Sequence, residues 1–286
     1  MRVIFFRFKK WRFIPRFFSF RALMERALLV GSTVCFLLGF AYTLVALRTR
    51  VQRPSRWNFL VMLTGFALQT GFLHLRGQVV GRCPLTNLFE VLTFLCWAIA
   101  LLYFVVGGTY RLSLLGAFTA PLVFLLQTSA LLLPSASLPP EHKPSAGFWP
   151  ELHAALSLVA YGALALACVA GVMYLVQERQ LKRHQLGSIF QALPPIATLA
   201  LAMQRVMLAG VVLLTAGLVA GFLSGSVREH LAVIVWSVCV WLVYGAVIVL
   251  RATHRFGARR IAWFSVGAFT LALITLGALG YLHLGK

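Results

Sequence analysis

The chain has 286 residues, 60% of them hydrophobic and only 11% charged, and its apolar residues gather into runs of about 20 that recur along its length, which excludes a water-soluble core. A formal charge of +20 would suit nucleic acid in a soluble domain. Here the Lys and Arg residues lie mainly between the apolar runs, where they orient helices and meet anionic headgroups, so nucleic-acid binding is excluded and membrane lipids are the first partner.

Residues 1–26 form a basic, aromatic segment: Arg2, Arg7, Lys9, Lys10, Arg12, Arg16, Arg21 and Arg26 alternate with phenylalanines. Such a segment suits a helix lying in the headgroup plane. The alternative is a misassigned start, with translation beginning at Met24. No small-residue cleavage site follows a short apolar core, so the segment does not read as a removed signal peptide.

Residues 27–286 form the membrane domain. Eight apolar segments are predicted as helices, roughly 27–47, 57–75, 88–108, 112–134, 152–176, 204–224, 231–250 and 261–283. Their runs are continuous rather than alternating, and a lone helix satisfies its own backbone groups in lipid, so strands are not competitive. The predicted fold is all-α, a polytopic transmembrane bundle of about eight helices. Four of the five cysteines lie inside these runs, none forms a CxxC, and only Cys83 falls in a loop, so no disulfide framework is implied.

The connections after the odd-numbered segments carry 13 Lys and Arg residues, and those on the opposite side carry 5. The positive-inside rule puts the first set in the cytoplasm and the C-terminus outside. The eight basic residues ahead of the first segment, added to the outer side, would make the count a tie, so the tail runs against the distributed loops.

With that orientation five of the seven histidines fall on the outer side: His74 ends segment two, His142 and His153 flank the start of segment five, His230 precedes segment seven, and His283 ends segment eight. His184 and His254 lie among cytoplasmic Lys and Arg and read as solvated residues. His153 opens the long apolar run behind Trp149-Pro150, an interfacial anchor and first helical turn, and that run ends in Glu178-Arg179-Gln180-Leu181-Lys182. His153 and His283 sit at matching depths on helices of opposite direction, so juxtaposing segments five and eight offers two imidazoles to one iron, a bis-histidine geometry.

The outer loop 135–150 is rich in Pro, Ser and Gly and reads as an irregular cover, while the cytoplasmic connection 177–203 is interrupted by Pro194-Pro195. Neither carries phosphate-loop, dehydrogenase or protease spacing. The stretch Arg82-Cys83-Pro84-Leu85-Thr86-Asn87-Leu88-Phe89-Glu90 places one of only six acidic residues at the outer start of segment three. Thr86 or Asn87 is the expected N-cap, with Glu90 favoured by the helix dipole. Asn87 and Glu90 are expected to organise the outer mouth, with Glu90 hydrated and Glu90→Gln mild.

Three blocks together resemble the cytochrome c assembly family, the CcsA/HemX-like haem-handling proteins, and most of all its short YpjD-like branch. They are Pro84 through Glu90; Leu152-His153 through Ser157 and Tyr161 to Tyr174-Leu175 and Glu178 through Lys182; and Trp236 through Gly257-Ala258-Arg259-Arg260 to His283. The resemblance covers most of residues 57–283. It implies that His153 and His283 match the family's two outer histidines, ligands of haem iron, with a non-covalent, b-type haem as cofactor.

It also marks departures. The tryptophan-rich loop with a WxWDxxE core should fall between segments six and seven, where this chain has only Ser224-Gly225-Ser226-Val227-Arg228-Glu229-His230. The intramembrane histidine pair of haem-transporting members is replaced by Gln69 and Tyr244; tyrosinate is an iron ligand, and His74, about one turn from Gln69, is a partial substitute. These departures argue against a synthetase that attaches haem. What the resemblance then implies is a haem-binding protein of the bacterial inner membrane, acting in or alongside c-type cytochrome biogenesis at the outer face, with other assembly subunits or an apocytochrome as partner. The competing reading is a non-haem transporter or an accessory, regulatory membrane subunit; no inverted repeat or broken helix supports the transporter form.

Overall fold

A computed structural model describes residues 14–49, 56–110, 115–133, 147–183, 194–225, 231–253 and 255–284. Among them are eight helices and no strand: α1 (Ile14–Thr49), α2 (Arg56–Val80), α3 (Leu88–Tyr110), α4 (Leu115–Leu131), α5 (Phe148–Lys182), α6 (Ile196–Leu223), α7 (Leu231–Ala252) and α8 (Ala258–Leu284). The all-α transmembrane bundle expected from the apolar runs is what the chain forms. Seven helices are long and apolar enough to cross a membrane; α4, with 17 residues, is the shorter one. At 1.5 Å per residue α4 spans about 25 Å, short of a hydrocarbon core of about 30 Å.

The boundaries differ from the expected ones where polar residues continue a helix beyond its apolar run. The first helix begins at Ile14, so the later half of the basic tail is continuous with it. The second runs to Val80 and ends where Gly81 adopts φ 80°, its N–H donating to the Gly77 carbonyl at 2.9 Å. That left-handed conformation suits a glycine at a helix end. His74 and Arg76, expected at the end of a helix and beyond it, are therefore inside α2. Both described ends of the connection 177–203 are helical: α5 continues to Lys182, and α6 begins directly after Pro194-Pro195.

Two groups of helices pack together, α1 to α4 and α5 to α8, and α5 joins them by contacts with α3 and α4. The membrane-spanning part of α5 is 83% buried, against 28% for α1, α2, α7 and α8. Its sequence explains this. Ser157 through Gly171 is built mainly from Ala, Gly, Ser and Leu, and small residues let helix backbones approach closely in lipid, where no hydrophobic force drives helices together. Gly162 lies against the Ala98 and Ile99 backbone of α3, where an added Cβ would fall 3.1 Å from the Ala98 carbonyl carbon. Gly171 meets Ala262 of α8 in the same way, with 3.2 Å to its carbonyl oxygen. On α6, Gly210 meets Leu164 of α5, with 2.9 Å to Cδ2. α3, α6 and α8 thus all approach α5 closely.

Candidate functional site

Two clusters of chemistry sit near the ends of α2 and α3 and at the start of α5. The first is ionic. Asn87 caps α3, its Oδ1 accepting from the Glu90 N–H at 2.9 Å. The Glu90 carboxylate turns back: Oε2 accepts from the Thr86 N–H at 2.8 Å and from its hydroxyl at 2.7 Å. Oε1 accepts from Arg76 Nε at 2.8 Å, and Arg76 Nη1 lies 3.4 Å from Glu25 Oε2 of α1. The guanidinium also stands 5.8 Å from the centroid of the Phe89 ring. Glu90 is fully buried, and Glu25 and Arg76 are nearly so.

This overturns the hydrated Glu90 of the sequence reading. The apolar cluster of Leu29, Phe72, Phe89 and Leu92 seals the charges from solvent, and the pairing replaces their hydration. Arg76, counted by sequence among outer-face basic residues, and Glu25, assigned to the tail, are the partners sequence reasoning missed. The available signal was scarcity: two of six acidic residues converge on one arginine.

Beside this cluster, Leu73, His74, Gly77, Gln78, Gly81, Arg82, Cys83 and Pro84 line an open groove of about 500 Å³. Arg21 of α1 donates to the Gln78 Oε1, which leaves the Gln78 Nε2 to donate to His74 Nε2 at 2.9 Å. His74 is exposed, and the lone pair of its Nε2 is engaged by that bond. Burial pushes the Cys83 thiol up to about 11, the Glu151 and Glu90 carboxylates add to it, and Arg82 acts against them. A thiol so shifted is protonated at neutral pH and is a poor nucleophile. We therefore expect maleimide labelling of Cys83 in the folded protein to be slow at pH 7 and to rise about tenfold per pH unit up to pH 10. Labelling already at its plateau by pH 8 would contradict this.

The second cluster surrounds His153, in the second turn of α5. Its Nδ1 lies 2.7 Å from the Gly217 carbonyl of α6. A carbonyl only accepts, so Nδ1 carries a proton, and in the neutral ring Nε2 then keeps the lone pair. Gly221, one turn further along α6, makes the room: a Cβ there would fall 2.8 Å from His153 Nδ1. Ser157, one turn below His153, faces Gly217 in the same fashion, at 2.8 Å from its Oγ. The signal for Gly217 and Gly221 was present in the sequence as a Gly-x-x-x-Gly spacing.

His283 lies on α8, and its side chain is outside what the structure describes, as are His142, His184, His230, His254 and most of the cover loop 135–150. The backbone does fix its depth. Gly171 of α5 packs on Ala262 of α8; His153 lies 18 residues before the one and His283 21 residues after the other. On antiparallel helices the two depths differ by about one turn.

Gln69 and Tyr244 stand in different helix groups. Gln69 is buried, its Nε2 donating to the Thr93 carbonyl at 3.0 Å and to Gln127 Oε1 at 2.8 Å. Both hydrogens of an amide that is no iron ligand are thereby used. Tyr244 is buried in the other group, its hydroxyl donating to the Ser265 carbonyl of α8 at 3.4 Å. No contact joins the two residues.

A neutral imidazole with Nδ1 anchored and Nε2 free suits haem iron, so His153 fits the group the sequence pointed to. Gln69 does not.

The family model described as Cytochrome C assembly protein matches residues 85–283. The chain belongs to the cytochrome C assembly protein family. The match opens beside Asn87 and Glu90, includes His153 with its glycine partners on α6, and closes on His283, whereas Glu25 and Arg76 lie ahead of it. The chain is similar to Protein HemX of Brevibacillus brevis, 27% identical over 61% of this chain and 64% of the relative. It is also 27% identical to the Cytochrome c biogenesis protein CcsA of Thermosynechococcus vestitus, over 78% of this chain and 82% of the relative. Protein HemX of Bacillus subtilis is 24% identical over 88% and 95%. The family and the seven helices that, among the described residues, are long and apolar enough to cross a membrane make this a multi-pass membrane protein.

Proposed function

We propose that this protein binds haem at the outer face of the bacterial cytoplasmic membrane and acts in or alongside c-type cytochrome biogenesis, with His153 and His283 as the residues that would hold the iron of one non-covalent, b-type haem. Family membership and the likeness to CcsA proteins support the role in cytochrome c biogenesis. The observation that carries the haem reading is the His153 imidazole, held by its Nδ1–H on the Gly217 carbonyl with Nε2 left for a metal. The near-equal depth of His283 on the antiparallel neighbour supports the pair. When bound, the haem supplies its own redox chemistry; the protein supplies the ligands and the apolar surround.

Attachment of haem to an apocytochrome is not part of the proposal. The connection from Leu223 to Leu231 is too short for a tryptophan-rich loop, and Cys83 is held as the thiol. Other assembly subunits or an apocytochrome are the partners in this reading. A second reading, an accessory subunit without haem, is favoured by Gln69, whose amide is tied into α3 and α4.

An absorption spectrum of the detergent-purified protein from haem-replete cells separates the two. A Soret band with sharp reduced bands supports the first reading, and a protein without haem leaves the second.

The sidedness is tested separately. Eight crossings, with α4 included, put Lys286 outside, so a periplasm-active reporter fused after Lys286 should be active. Activity of a cytoplasmic reporter alone at that site would mean that α4 does not cross or that the orientation is reversed.

A further inference from the structure

We infer that Gly217 and Gly221 of α6 are the positioning residues of His153, and that they select the tautomer which leaves Nε2 to ligate; this rests on the haem-binding reading. Two independent features converge on the ring. The Gly217 carbonyl, 2.7 Å from Nδ1, accepts its proton and holds the imidazole in one plane. Gly221 supplies the volume, because any side chain there would stand 2.8 Å from Nδ1 and 3.1 Å from Cε1. The ring is not the far end of a flexible chain. Two torsions set it, and turning either to escape a methyl group breaks the bond to Gly217.

The same interface holds an internal control. Gly210 packs as tightly on α5, 2.9 Å from Leu164 Cδ2, but lies two turns from Gly217 and does not touch His153. Gly210→Ala therefore loosens the α5–α6 packing alone, whereas Gly221→Ala also displaces the imidazole. Gly217→Ala is intermediate: its carbonyl stays, its closest clash is with Ser157 Oγ at 2.8 Å, and Ser157→Ala removes that clash.

Hydrogen bonds to a ligating histidine are worth about 10- to 100-fold in metal affinity. The test is run on the full-length protein in detergent, first free of haem and then titrated with haemin. Before haemin is added, the ¹⁵N spectrum of histidine-labelled protein, with His153→Ala to assign the signal, should show His153 as the Nδ1–H tautomer. On titration, Gly221→Ala should bind haemin about 10- to 100-fold more weakly and lose low-spin character. Gly210→Ala should bind as the unaltered protein does, and Ser157→Ala should restore Gly217→Ala but not Gly221→Ala. An Nε2–H tautomer in the unaltered protein overturns the inference, as does equal weakening by Gly210→Ala and Gly221→Ala. If the unaltered protein takes up no haemin, the haem reading fails while the tautomer still decides the positioning.

Discussion

Glu90→Gln should destabilise the folded protein by about 3 kcal/mol, the low end of the cost of removing one partner of a buried ion pair, because Arg76 keeps only its longer, 3.4 Å contact with Glu25. The carboxylate is needed because both of its oxygens accept: Oε1 from Arg76, Oε2 from the Thr86 N–H and hydroxyl. A carboxamide accepts at one end only. Its NH₂ would face either the Thr86 N–H or the guanidinium, both donors, at a side chain that is fully buried. Arg76→Gln should cost as much or more, since it strands Glu25 and Glu90 together. The double variant Arg76→Gln/Glu90→Gln should lose less than the two single ones combined, because it buries one charge fewer than either implies. Thermal unfolding in detergent measures all three. A Glu90→Gln midpoint within a degree of the unaltered protein would sink the buried-pair account and return Glu90 to a hydrated role. Because the triad links α1, α2 and the cap of α3, these variants should also accumulate poorly in membranes.

His153→Ala should remove bound haem or convert it from a low-spin to a high-spin, five-coordinate spectrum, the largest functional effect expected of any single substitution here. Neutral imidazole binds haem iron through one ring nitrogen, and the Gly217 bond leaves Nε2 as that nitrogen. Alanine at this position leaves the space of the ring beside Gly221, so exogenous imidazole should enter it and bring the low-spin bands back. His283→Ala should behave alike if it supplies the second ligand, while His184→Ala and His254→Ala should leave the spectrum as it is. His74→Ala should also be silent, because its Nε2 is engaged by Gln78 on an exposed face. If His153→Ala and His283→Ala both keep the unaltered spectrum, the ligands lie elsewhere.

Much of this protein could be read along the chain, and the reason is the bilayer. A spanning helix must be about 20 residues long and satisfy its own backbone, so apolar run length alone gave eight helices and their order. The helix start at Asn87 and the place of His153 near the head of α5 are equally local, set by capping and by the first turn after Trp149-Pro150. Only the tertiary structure decided which face of each helix meets another. In lipid, a buried and a lipid-facing residue are equally apolar: the α5 and α7 spans are alike in hydropathy, yet 83% of one and 28% of the other is buried. The same indifference hid the partners of the polar residues. Arg76 reaches Glu25 across 51 positions and Glu90 across 14, His153 reaches Gly217 across 64, and Gln69 and Tyr244 are held in separate helix groups. The His153 pairing follows from glycines that bring α5 and α6 close, which no run length or charge count records.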